Sequence, residues 1–168
     1  VADPGPGQVR IRQDAAGLNF IDVYHRTGLY PQPSPFIPGV EGAGVVEAVG
    51  PGVTGLQVGD DVIAVQGGSF ASHVVARTHL VARRPEGVGA EEGASFAIAF
   101  MTAEFCLGHV AGLKKGEKVL VHAAAGGVGM AAVRLAQRAG AVVFATAGSA
   151  WKRDLLRDMG VEHVLDSR

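Results

Sequence analysis

The sequence predicts an α/β protein in two parts: a β-rich first half, then the opening of a doubly wound parallel sheet. Three observations carry that expectation. Short valine-rich runs separated by glycine turns fill the first 85 residues, as in a compact β module. From Lys118 the pattern becomes strand, helix, strand, helix, strand, the alternation that a parallel sheet produces. Where the first of those strands meets its helix lies Ala123-Ala124-Ala125-Gly126-Gly127-Val128-Gly129, whose small side chains let a strand turn closely into a helix.

Residues 8 to 16 alternate, Val9 and Ile11 against Arg10 and Arg12, which is the period of a half-buried strand. Gly17 to Tyr24 is a short helical segment, ended by Gly28 and an irregular proline-rich loop from Pro31 to Pro38. The runs Gly44–Val49 and Asp61–Val65, bounded by Gly50-Pro51-Gly52 and Gly59-Asp60, read as strand, turn, strand. Further strands are expected at Phe70–Val75 and around Val81 and Ala82. Ala90–Val110 is alanine-rich and helical, with Cys106 expected in its core, and Lys114–Glu117 is a polar turn. Then follow a strand at Lys118–Ala123, a helix at Val128–Ala139, a strand at Val142–Thr146, a helix at Ala150–Met159 and a strand at His163–Leu165. The valine start and the ending straight after a strand both read as cut, so the second sheet is expected to be truncated.

Composition narrows the function classes. With 15 basic and 16 acidic residues in 168, the net charge of −1 gives no field for nucleic acid or an anionic membrane surface. One cysteine, Cys106, excludes an intramolecular disulfide framework and suits a reducing cytoplasm. No apolar stretch approaches the roughly 20 residues of a membrane span, and the N-terminal residues have no signal pattern.

The glycine turn offers unpaired N–H groups and a partial positive charge at a helix start, which suit a pyrophosphate. Against the three-glycine dinucleotide template, Ala124 stands first, followed by Gly126 and Gly129. A strand that ended in an acidic residue about 20 positions on would favour NAD. Here that strand ends in Ala147-Gly148-Ser149, and the next charges, Lys152 and Arg153, are donors for a 2′-phosphate. NADPH is therefore the expected cofactor.

Four segments together carry a resemblance: Gly17-Leu18-Asn19-Phe20-Ile21-Asp22-Val23-Tyr24, Gly28-Leu29-Tyr30-Pro31, Pro38-Gly39-Val40-Glu41-Gly42-Ala43-Gly44 and His122–Gly129. On them the chain resembles the quinone oxidoreductase (zeta-crystallin-like) branch of the zinc-independent medium-chain dehydrogenases/reductases, and it is also similar to polyketide and fatty acid synthase enoyl reductase domains. The resemblance spans essentially all 168 residues. It implies a GroES-like catalytic domain over 1–100 and a partial Rossmann NADP-binding domain over 101–168. It also implies that Asn19, Tyr24 and Tyr30 are the catalytic residues near the nicotinamide, with Thr102 close by. Cofactor binding would fall to Asn19, Thr102, Ala125, Gly126, Gly127, Val128, Gly129, Ser149, Lys152 and Arg168. Where many quinone oxidoreductases carry Asn-Tyr-Arg, this chain has Asp166-Ser167-Arg168, closer to the synthase reductases.

Zinc-containing relatives place a cysteine and a histidine where Asn19 and Phe20 stand and a histidine at Val40, and their structural zinc lobe needs four cysteines where this chain has one, so neither zinc site is expected. Without a Lewis acid, a conjugated acceptor suits hydride transfer, because incoming charge spreads to an oxygen that ordinary hydrogen bonds stabilise. The expected activity is NADPH:quinone reduction. The alternatives are an enoyl-thioester reductase domain of a synthase and a non-catalytic NADPH-binding structural or nucleic-acid-binding protein. A small-molecule quinone or enoyl substrate, no nucleic acid, no membrane and a homodimer of the full-length protein complete the expectation, with the isolated piece inactive.

Overall fold

The computed structural model describes residues 2–168, which divide into two compact units, Val1–Ile98 and Ala99–Arg168.

In the first unit, β1 (Gln8–Ala16), β2 (Glu41–Val49), β3 (Asp61–Val65), β4 (His73–Arg77) and β5 (Val81–Arg83) form one antiparallel sheet in the order β4-β1-β2-β3-β5. Alternation sets the inward face: Val9, Ile11, Val46, Val62 and Val74 are buried together, each contributing roughly 1.5–3 kcal/mol by leaving water. Irregularities between Arg10 and Ile11 and between Gln13 and Ala15 interrupt the β1–β2 register, as bulges that bend a sheet do.

Helix α1 (Phe20–Thr27) starts three residues later than the sequence pattern predicts. Gly17 is still extended and buried because its N–H donates to the Glu41 carbonyl. Asn19 is the N-cap and forms a capping box with Asp22, and Gly28 ends the helix in the left-handed region at φ 76°. Residues 31–38 carry no helix or strand. The strand expected from Phe70 begins only at His73. The Phe70 N–H donates to the Pro38 carbonyl and the Ser69 N–H to that of Gly39, so the backbone N–H groups of 69–70 are taken by the 38–39 loop before β4 begins.

In the second unit, α3 (Ala97–Glu104) follows the short α2 (Ala90–Ala94) of the first and runs on into a π-helical turn, Phe105–Val110. This stretch is apolar on all sides, and of Met101, Ala103, Phe105 and Val110 only Ala103 is buried. Cys106 is exposed, not a core residue: it lies in the π-helical turn, in which no residue is buried.

Strands β6 (Lys118–Val121), β7 (Val142–Ala147) and β8 (His163–Asp166) pair in parallel in that order. β6 stops two residues short of the predicted run, since His122 to Ala125 form the turn into α4 (Gly127–Arg138). α4 buries Ala131, Ala132, Val133 and Ala136, a small-residue face that lets it lie close on β6 and β7. Helix α5 (Ala150–Asp158) buries Leu156 and connects β7 to β8. The opposite sheet face is open: Leu120 and Leu165 are each 52% exposed.

Candidate functional site

In the first unit the predicted site residues gather around α1. The Asn19 backbone N–H donates to Asp22 Oδ2 at 2.8 Å, and Asp22 Oδ1 accepts the Gly39 N–H at 2.9 Å. Asp22, 3% exposed, thus ties the helix start to the glycine of the following loop. The Asn19 side chain donates from Nδ2 to Glu41 Oε1 at 2.7 Å. One turn along, the Tyr24 and Tyr30 rings meet edge to face with centroids 5.3 Å apart, and the Tyr30 N–H donates to the Tyr24 carbonyl at 3.2 Å. Tyr30 is half exposed, so its phenol is open to a ligand.

In the second unit the turn after β6 is built for close approach. Ala123 sits at φ 48°, an uncommon conformation for a residue with a side chain. A Cβ at Gly129 would lie 2.4 Å from the Ala123 carbonyl oxygen and 2.7 Å from Ala124 Cα, so no side chain fits there. At Gly127 a Cβ would meet nothing within 4 Å, leaving free volume at the first residue of α4. Gly126 is the N-cap of α4, and Val128 on its first turn is exposed. The sequence template aligns Ala124 with its first glycine, but the left-handed residue of the turn is Ala123, and Ala124 is fully buried.

A second cluster lies at the end of β7. Ser149 is the N-cap of α5, and its Oγ is buried without a hydrogen-bond partner. A Cβ at Gly148 would stand 3.3 Å from both Arg168 Nε and Ser167 Oγ, so these two side chains lie over Gly148. Lys152 Nζ is 5.4 Å from the Trp151 ring centroid. Arg153 is partly engaged: its Nη1 donates to the Ala147 carbonyl and contacts Asp166 Oδ2, both at 3.0 Å. Thr102 lies exposed on α3.

The N-terminal N–H groups of α4, the orphaned Ser149 hydroxyl and the Arg168 side chain over Gly148 fit a phosphorylated dinucleotide. Among the described residues no three His, Cys, Asp or Glu side chains are grouped as metal ligands would be. No helix there is long and apolar enough to cross a membrane. Sequence reasoning quoted Glu41 and Asp22 within motifs but gave them no task. Their burial was the missing signal, since two carboxylates among apolar residues must answer specific donors.

An antiparallel sheet followed by a glycine-turn parallel sheet is the two-part layout of the dehydrogenase/reductase fold. The chain belongs to the alcohol dehydrogenase GroES-like domain family, which matches residues 5–90, and is a medium-chain dehydrogenase/reductase; the zinc-binding dehydrogenase family matches residues 127–168. It is 51% identical over 166 residues, 98% of its length, to a pikromycin polyketide synthase component of Streptomyces venezuelae, of which it spans 4%. It superposes on the CurK enoyl reductase with a TM-score of 0.92 and 37% identity, covering all of this chain and 54% of that one. On the Escherichia coli quinone oxidoreductase complexed with NADPH the TM-score is 0.90 at 35% identity, covering 98% of this chain and 52% of the other. The chain therefore spans about half the length of these solved relatives.

Proposed function

We propose that this chain supplies the catalytic residues and the cofactor turn of a zinc-independent, NADPH-dependent reductase of conjugated carbonyl compounds, with an enoyl thioester as first acceptor. The observation that supports the cofactor reading is the strand-to-helix turn with no room for a side chain at Gly129, together with the unpartnered Ser149 Oγ at the end of β7. Kinship at 51% identity to a polyketide synthase component moves the thioester ahead of the quinone. A quinone is the second reading, favoured by the similarity to the bacterial quinone oxidoreductase.

When bound, NADPH supplies the hydride. The start of α4, Gly127 to Gly129, would receive the pyrophosphate on its backbone N–H groups, and Ser149, Lys152 and Arg168 would meet the 2′-phosphate. Asn19, with Thr102, orients the nicotinamide. Tyr30 or Tyr24 would donate the proton from Oη, to the α-carbon of an enoyl thioester or to the oxygen of a quinone, which a phenol does only when well placed. Residues 1–100 act as the catalytic domain and 101–168 as the start of the dinucleotide domain. The complete protein is cytoplasmic and dimeric on this reading.

Titration of the chain within its full-length protein tests this. NADPH is expected to bind more tightly than NADH, with Lys152→Ala and Arg168→Ala each removing most of the difference. Turnover should follow with a crotonyl thioester, 1,4-benzoquinone or both. Equal affinity for the two nucleotides would overturn the 2′-phosphate assignment, and oxidation of neither donor by either acceptor would overturn the activity.

A further inference from the structure

Glu41 is the largest buried polar side chain of the first unit, only 2% exposed. Among the described residues it makes no ion pair. Its charge is answered by two neutral donors, Asn19 Nδ2 on Oε1 at 2.7 Å and the Ile98 backbone N–H on Oε2 at 2.8 Å. The space it fills is left by Gly17, where a Cβ would lie 2.7 Å from Oε1 and 2.8 Å from Cγ. Burying a carboxylate without a cation is costly. Packing alone would be served as well by glutamine, whose oxygen could accept from Ile98. What glutamine cannot do is accept twice at these two positions.

We propose that Glu41 is a positioning residue that fixes which end of the Asn19 amide faces inward. An ionised carboxylate only accepts, so the amide nitrogen must turn toward Oε1. The flipped rotamer would bring two acceptor oxygens together at 2.7 Å with no hydrogen between them. Asn19 is thereby left with one N–H of fixed direction for its ligand, which gives the amide a defined polarity before anything binds. The inference rests on the reading of Asn19 as a cofactor-positioning residue.

The substitution that separates this from a packing role is Glu41→Gln, alone and combined with Asn19→Asp. In E41Q, the new amide must accept from the Ile98 N–H and donate to Asn19, so the Asn19 amide is driven to reverse, which also takes its oxygen away from the Asp22 N–H of the capping box. In N19D/E41Q, the carboxylate introduced by the first substitution accepts from the amide introduced by the second, and the pair is satisfied but carries no donor toward the ligand. With selective 15N-asparagine labelling of the full-length protein, the Asn19 side-chain NH2 resonance is expected to shift and exchange faster in E41Q. The melting temperature should stay within about 5 °C in both variants. Turnover of NADPH with the crotonyl thioester or benzoquinone should fall roughly tenfold or more in kcat, with KM for NADPH changed far less.

An unshifted Asn19 resonance in E41Q would overturn the proposal, as would wild-type kcat in either folded variant. If E41Q alone does not fold, the double variant decides by its kcat. The resonance reads amide orientation whether or not the protein turns over either acceptor, so a wrong assignment of the activity and a wrong role for Glu41 give different results.

Discussion

Gly127 and Gly129 stand two residues apart in one turn, and a methyl group at each has opposite consequences. Gly129→Ala puts carbon 2.4 Å from a backbone oxygen that cannot move aside, so it should cost roughly 1–3 kcal/mol in urea unfolding of the second unit. Gly127→Ala points into open volume, so stability should hold or rise slightly while NADPH affinity, read by fluorescence titration, drops roughly tenfold or more. The turn itself was legible in the sequence because small residues between an apolar strand and a helix have few other uses. Its inner geometry was not: Ala123 carries the left-handed conformation at φ 48°, and nothing about an alanine between His122 and Ala124 announces that. Nor could the task of Glu41 be read, since its partners Asn19 and Ile98 lie 22 and 57 positions away.

Among the elements, the turn from β2 to β3 is fastened by one carboxylate. Asp60 Oδ2 accepts the Gln57 N–H at 2.8 Å and both Nε and Nη2 of Arg83 at 3.2 and 2.9 Å, which joins the turn to β5. These contacts, the Gln57 N–H first and then Arg83, hold the Asp60 carboxyl below its ordinary value of 3.8. A group depressed in the folded state adds stability above the unfolded value and loses it as pH falls through the folded one. Acid unfolding followed by circular dichroism should therefore steepen below about pH 3.8, and Asp60→Asn should flatten that part of the profile. Strands with strict alternation, such as β1 and β3, were legible to within a residue. β4 was not, because the apolar Phe70 belongs by pattern to a strand, while its backbone is claimed by Pro38.

For the whole chain, the unusual property is a parallel sheet with one face covered by α4 and α5 and the other bare. Parallel sheets are almost always covered on both faces, and Leu120 and Leu165 lie open here, as do Met101, Phe105 and Val110 on the neighbouring helical stretch. The 168-residue chain by itself should bind a hydrophobic dye and self-associate at micromolar concentration in light scattering, and Leu120→Lys with Leu165→Lys should reduce both; a monodisperse, dye-free wild-type chain would contradict this. The α/β class and the strand succession of this half were legible because period and glycine placement are local, whereas which sheet face stays open depends on both helices crossing on one side. The bond from Ile98 to Glu41 also has a meaning in time. During synthesis the five-stranded sheet can pair once Arg83 has emerged, yet Glu41 keeps an unanswered oxygen until residue 98 follows. A ribosome paused between those points would hold a paired sheet around a carboxylate with only one of its two oxygens answered, so the burial of Glu41 is completed by a residue outside the sheet.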